Sequence, residues 1–168
     1  LIHLADSLVG DIEHLVSSDN IYVVNNGVAD TGMERDFSKR KRSVSFLYLS
    51  NFMRQKGAMD LLEACALIQN RSDHFSVTFV GRFFEKEFEL QFKKRFNELA
   101  MKNLSLIEGL YGDDKVKVIQ SSDVFVLPTF YRNECFPLSI LEAMSQGLPV
   151  IATREGAIPD IVENGDVG

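Results

Sequence analysis

The chain is poor in the groups that several large function classes require. It has two cysteines, Cys65 and Cys135, which do not form a framework of spacings suited to disulfides or zinc, so a reducing compartment is the simpler expectation. Its three histidines, His3, His14 and His74, are scattered without metal-ligand spacing. There is no Asp-x-Asp, and Asp113-Asp114 reads as the cap of a helix rather than as a metal site. No two of the eleven glycines stand two residues apart, which removes the Gly-x-Gly-x-x-Gly turn of a dehydrogenase. No apolar run approaches the roughly 18 residues that a membrane-spanning helix needs, and the N-terminus lacks a signal peptide's basic start and apolar middle. With a formal charge of −6 and a pI near 5.1, the chain also lacks the basic stripe of a general nucleic-acid binder. Any anion it binds is therefore recognised locally.

What is present is a core-forming composition. At 168 residues and 45% hydrophobic content the chain can bury a real core, most economically as one domain. Leu1-Ile-His-Leu-Ala opens inside an apolar pattern and Glu163-Asn-Gly-Asp-Val-Gly168 stops on turn residues, so both ends read as cuts in a longer polypeptide.

Along the chain, a helical opening through about Val16 is expected, then a strand at Asn20 to Val24 and a turn at Asn25 to Gly27. Ala29 to Arg42 reads as a polar linker whose basic cluster, Lys39 to Arg42, is a solvated loop. From Val44 the pattern becomes regular. Strands are expected at Val44 to Ser50, Phe75 to Gly81, Leu104 to Ile107, around Val124, and at Pro149 to Thr153. Helices are expected at Ala58 to Gln69, Glu85 to Met101, Asp113 to Gln120, from Pro137, and at Ala157 to Val162. In the second of these helices Phe88, Phe92, Phe96 and Leu99 share one face, which is core packing. Strands alternating with helices argue for βαβ units and a parallel sheet covered on both faces, an α/β Rossmann-like fold. Ligands of such sheets gather at the carboxyl ends of the strands, so the loops after Ser50, Gly81, Ile107, Leu127 and Thr153 share one rim.

Two features fall on that rim. The first is the run Asn-Glu-Cys-Phe-Pro-Leu-Ser-Ile-Leu-Glu-Ala-Met at 133–144, with Glu134 before a helix start and Glu142 inside the helix. Pro137 suits the first helical turn, and the N–H groups of Leu138 and Ser139 would face outward as an anion site. At about 1.5 Å of rise per residue, Glu142 lies roughly one and a half turns in, so the two acids can grip opposite ends of an extended ligand. Spacing alone is uninformative, because Glu155 and Glu163 are also eight apart. The second feature is Lys56-Gly57 ahead of the helix at Ala58. An ammonium there can meet an anion held by backbone N–H groups, and the glycine removes bulk where something must come close.

Together Lys56-Gly57, Glu134 to Met144, Gly147-Leu-Pro-Val-Ile-Ala-Thr153 and Gly156-Ala-Ile-Pro-Asp160 resemble the C-terminal, donor-binding half of a GT-B glycosyltransferase of family 4. Val23-Val-Asn-Asn-Gly-Val28 is similar to the segment that opens that half, and the likeness covers residues 20 to 168. The resemblance implies that residues 20–168 form a donor-binding domain, incomplete at its C-terminal end, and that 1–19 is a truncated segment from between the lobes. It implies a retaining transferase that moves a sugar from a UDP- or GDP-sugar to a glycan or lipid-linked acceptor held by a missing N-terminal lobe. It implies no metal and no other cofactor. The protein would act in the cytoplasm, with peripheral membrane association as an option for the full-length form.

By the same resemblance Glu134 contacts hydroxyls of the transferred sugar, Glu142 the ribose, and Lys56 the diphosphate, while Phe136, Pro137 and Leu138 line the donor phosphate and sugar, with Asn51 and Gly57 beside them. Glu134 and Lys56 would be the catalytic residues, Glu134 in the sense of being essential to the donor site rather than as a covalent nucleophile. Two departures stand out. Ser50-Asn51 occupies the place of a usual Gly-Arg, so one phosphate-binding arginine is absent and Arg54 is out of register to replace it. Pro137 stands where a glycine is common. The lost arginine keeps a non-catalytic nucleotide-sugar sensor as the alternative. A sugar-nucleotide epimerase or a phosphorylase on the same scaffold are lesser ones.

Overall fold

The computed structural model describes residues 1–32, 43–69, 71–72 and 74–162. The basic cluster Lys39 to Arg42 and Glu163 lie outside the described residues. Seven strands appear among them: β1 (Ile2–His3), β2 (Tyr22–Val23), β3 (Val44–Leu49), β4 (Phe75–Gly81), β5 (Leu104–Glu108), β6 (Val124–Leu127) and β7 (Val150–Ala152). The helices are α1 (Ala58–Gln69), α2 (Lys86–Leu99), α3 (Gly112–Ser121), α4 (Leu138–Ser145) and α5 (Ile158–Ile161).

Strands β3 to β7 form one wholly parallel sheet in the order β5-β4-β3-β6-β7. The chain starts at the middle strand, steps outward through β4 and β5, then returns to the other side of β3 for β6 and β7. Parallel crossovers are right-handed, so the two directions of travel put helices on opposite faces of the sheet. The reversal leaves a crevice between the carboxyl ends of β3 and β6, the switch point where open α/β sheets hold ligands.

The core explains why these segments fold as they do. β3 grows more buried toward its end, with Leu47, Tyr48 and Leu49 inside. Tyr48, Phe52, Phe79, Phe83, Phe92 and Phe96 form a chain of ring contacts with centroids 4.4–6.3 Å apart. The expected Phe stripe of α2 faces this cluster: Phe88 and Phe92 are buried, with Phe96 and Leu99 packed against it. Such rings carry much of a core's burial energy and prefer offset-stacked, tilted or edge-on contacts such as these. Arg95 and Glu63 then tie α2 to α1 by a two-pronged ion pair at 2.6 and 2.8 Å.

Four local expectations are corrected. The N-terminal stretch is not an α-helix. Ile2–His3 pairs in parallel with Tyr22–Val23, and Asp6–Asp11 forms a 3-10 turn ending at Ile12. The strand expected from Asn20 shortens to its two paired residues. Asp113 and Asp114 do not cap α3: the cap position is Tyr111, in extended conformation, and the two acids sit in the first turn, where Asp114 pairs with Lys117 at 2.9 Å. Pro137 is at the cap of α4 rather than inside it, with ψ at 108°.

Candidate functional site

The crevice at the switch point is lined by residues from four loops and two helices. Ser50, Asn51 and Lys56 come from the loop after β3, Arg82 follows β4, and Leu110 and Tyr111 follow β5. Glu134 and Pro137 follow β6, Lys115 belongs to α3, and Leu138, Ser139 and Glu142 belong to α4. The cleft holds about 340 Å³.

Its centre is an ion pair. Lys56 Nζ lies 2.6 Å from Glu134 Oε2, and both side chains are largely buried, 13% and 6% exposed. Carboxylates are seldom this buried without a partner, since an unpaired buried charge is costly. Lys56 Nζ also sits 4.7 Å from the centroid of the Tyr131 ring, whose π face supports a cation.

The backbone around the pair is fixed from three sides. Arg54–Lys56 is a 3-10 turn that ends at Gly57 in the left-handed region, φ 77°, and a β-carbon on Gly57 would lie 2.0 Å from the Pro128 carbonyl oxygen. Only glycine allows that approach. Phe130 N–H and the buried Thr129 hydroxyl both donate to the Gln55 carbonyl, at 2.8 and 3.2 Å, and the Thr153 hydroxyl donates to the Thr129 carbonyl. On the far side Ala157 N–H donates to the Glu134 and Cys135 carbonyls at 3.3 and 3.2 Å. A β-carbon on Gly156, at φ 53°, would fall 1.4 Å from the Glu134 carbonyl oxygen. The motif around Gly156 thus acts as the seat for Glu134.

Below this layer burial pushes the Tyr48 phenol far above its usual range, and it stays protonated to donate to the Asn51 carbonyl at 3.4 Å. Beside the site the Cys135 thiol is exposed, whereas burial pushes Cys65, in α1, up to about 11.

The second acid completes the groove. Glu142 Oε1 is 2.5 Å from Lys115 Nζ, at the wall shared with a neighbouring pocket of about 290 Å³. Val28, Ala29 and Thr31 face α3 and α4 across that pocket. The cleft therefore offers, in sequence, a carboxylate, an ammonium, the start of α4 and a second carboxylate. A mostly apolar groove of about 420 Å³ also exists, lined by Val44, Phe46, Phe75, Val77, Val126 and Ile151 among others. It opens where β3 and β4 begin and has none of this chemistry.

Among the residues expected from sequence, Asn51, Lys56, Glu134, Pro137, Leu138 and Glu142 meet in the cleft. Gly57 shapes it by packing on Pro128. Phe136 is half-buried and is not among the lining residues, and Arg54 turns away to pair with Gln91, its guanidinium 5.6 Å from the Phe88 centroid. Reading the sequence missed Arg82, Tyr111, Lys115 and Tyr131. Among the described residues no three His, Cys, Asp or Glu side chains are grouped to hold a metal, and no helix is long and apolar enough to cross a membrane.

Residues 31–168 match the model of the family described as glycosyl transferases group 1. The chain belongs to that family. Within the group 1 glycosyltransferases it is similar to N-acetyl-alpha-D-glucosaminyl L-malate synthase of Bacillus anthracis, 28% identical over 98% of this chain and 44% of that protein. A shorter stretch, 35% of this chain and 11% of the relative, is 48% identical to sulfoquinovosyl transferase SQD2 of Arabidopsis thaliana. In structure it is similar to HepE of Anabaena in complex with UDP-glucose, with a TM-score of 0.79 at 18% identity, covering 98% of this chain and 47% of HepE. That likeness establishes the fold, a lobe of the GT-B glycosyltransferase kind. The chain spans less than half the length of these relatives.

Proposed function

We propose that this chain is the donor-binding, C-terminal lobe of a retaining family 4 glycosyltransferase. It takes a sugar from a nucleoside-diphosphate sugar and passes it to a glycan or lipid-linked acceptor held by a second, N-terminal lobe. The single observation that supports this most is the Lys56–Glu134 ion pair in a switch-point cleft that also contains Glu142. An extended ligand with hydroxyls at one end, negative charge in the middle and ribose hydroxyls at the other matches that order of groups. The UDP-glucose carried by HepE has this shape.

In the proposed reaction, breaking the bond between the anomeric carbon and the phosphate oxygen builds positive charge on the sugar and negative charge on the departing diphosphate. Lys56 and the start of α4 at Leu138 and Ser139 meet the negative charge, a preorganised electrostatic contribution. Glu134 accepts hydrogen bonds from sugar hydroxyls and holds the sugar against Lys56. Glu142 accepts from the ribose. Asn51, Pro137 and Leu138 border the phosphate and sugar, and Gly57 keeps the turn close. The reaction draws on no metal and no further cofactor.

Residues 20–168 are read as the donor domain and 1–19 as a segment from between the lobes. We place the protein in a reducing, cytoplasmic setting, where Cys65 and Cys135 remain thiols, with peripheral membrane contact if the acceptor is lipid-linked. The test is a panel of UDP- and GDP-sugars in a thermal-shift assay. A true donor at a hundred times its dissociation constant adds about 2.7 kcal/mol of stability. A protein that no member of the panel stabilises is not this enzyme. This chain alone is expected to bind donor without transferring the sugar, and a full-length protein that binds donor but releases no nucleotide when given acceptor is a sensor.

A further inference from the structure

Two of the three cations lining the cleft are already matched to carboxylates, Lys56 to Glu134 and Lys115 to Glu142. The third, Arg82, is in no ion pair among the described residues. It is nonetheless held in place. Phe52 N–H donates to the Arg82 carbonyl at 2.8 Å, and Phe52 and Phe83 form a parallel bridge just beyond. The guanidinium carbon lies 5.0 Å from the centroid of Tyr111. Gly109, at φ 73°, leaves open a space where a β-carbon would come within 3.3 Å of Arg82 Nε.

The ladder gives this arginine its meaning. β3 and β4 pair Leu49 with Val80, and the same offset recurs at Phe52 and Phe83. Asn51 and Arg82 are therefore side by side at one level, on neighbouring strand ends about 4.8 Å apart. By the resemblance drawn from the sequence, Asn51 stands where a phosphate-binding arginine is expected. An arginine side chain is longer than one strand spacing, so a guanidinium displaced sideways by one strand still covers the same ground. Arg54, the nearer arginine in sequence, is committed to Gln91 and Phe88 outside the cleft.

We propose that Arg82 is the cleft's diphosphate-gripping arginine, supplied from the loop after β4 in place of the one absent at position 51. The assignment rests on the donor-site reading above. Its planar, always-charged fork matches two phosphate oxygens in a fixed bidentate geometry, whereas an ammonium acts as a point charge. Lys56 and Arg82 would then flank the diphosphate from the loops after β3 and β4, while the first turn of α4 faces it from the third side.

The test compares a nucleoside with its diphosphate, uridine against UDP and guanosine against GDP, by calorimetric titration of the wild-type protein, Arg82→Gln, Arg82→Lys, and Arg82→Gln combined with Asn51→Arg. Wild type is expected to prefer the diphosphate. Arg82→Gln is expected to lose roughly tenfold or more in diphosphate affinity with nucleoside affinity unchanged, the size expected for a charge-assisted pair. Arg82→Lys should recover part of the loss. Returning the arginine to position 51 should restore diphosphate binding, which a merely structural role for Arg82 would not allow. If Arg82→Gln keeps the full diphosphate preference, or weakens nucleoside and diphosphate alike, the assignment of Arg82 is wrong while the donor-site reading stands. If wild type shows no preference for the diphosphate, the donor-site reading fails and this assignment with it.

Discussion

The Glu134 carboxylate and the Lys56 ammonium, 78 residues apart in sequence, meet at 2.6 Å at the carboxyl ends of adjacent strands β6 and β3. Removing one partner leaves a mostly buried charge alone. Lys56→Met is therefore expected to cost roughly 2–3 kcal/mol in denaturant unfolding, the low side for a buried pair because the cleft admits water. Glu134→Gln added to it should recover much of the loss. A double-mutant cycle with no coupling between the two positions would show that the pair does not contribute as drawn.

The two acids should separate by ligand. Glu142→Ala is expected to weaken binding of a plain nucleoside diphosphate and of the nucleotide sugar together. Glu134→Ala should spare the nucleotide and abolish discrimination between different sugars on the same nucleotide. Competition titrations with a sugar panel read both. Equal losses for both ligands in both variants would overturn the division of labour.

Gly156 and Gly57 act on the same pair through the backbone. A methyl group at Gly156 would overlap the Glu134 carbonyl, and one at Gly57 the Pro128 carbonyl, each at positive φ. Gly156→Ala and Gly57→Ala should each destabilise by more than the ~1 kcal/mol typical of a point mutation, since both clash and strain apply. The Gly156 variant should also impair sugar discrimination, because its clash moves Glu134 directly. Wild-type stability in either variant would mean that these close approaches are not needed.

Much of this was legible in the sequence. The five helices from Ala58 onward and the strands of the main sheet fall where apolar periodicity and Gly or Pro punctuation put them, and the common rim followed from the βαβ alternation. The N-terminal stretch was not legible: Leu4, Leu8 and Ile12 recur at helical spacing, yet pairing of Ile2–His3 with Tyr22–Val23 takes the chain out of a helix. Local propensity yields there to a partner twenty residues away. Arg82 and Lys115 were hidden for a different reason. Their place in the cleft depends on the strand order and on the offset between β3 and β4, and neither is written in local pattern. The seat that Gly156 makes for Glu134 likewise becomes visible only when the loops after β6 and β7 are side by side.

One pH effect lies outside the site. Hydrogen bonding to Arg95 holds the Glu63 carboxyl below its ordinary value of 4.5. A depressed carboxyl adds stability above its unfolded value and loses it as pH falls through the lower folded value. Glu63→Gln should thus lower stability slightly at neutral pH and make no difference in acid well below 4.5. The pair is largely solvent-exposed, so the neutral effect is small. Unfolding curves for wild type and variant at several pH values check it, and a gap that widens in acid would contradict the sign.

The most direct test of the donor cleft is amide hydrogen exchange of the protein with and without a nucleotide sugar that stabilises it. Protection is expected at Ser50–Gly57, at Arg82 and across Glu134–Ser139, with little change along the apolar groove of Val44, Phe46 and Ile151. A stabilising nucleotide sugar that protects the groove instead, and leaves the Lys56 and Glu134 loops exchanging as before, would contradict the account.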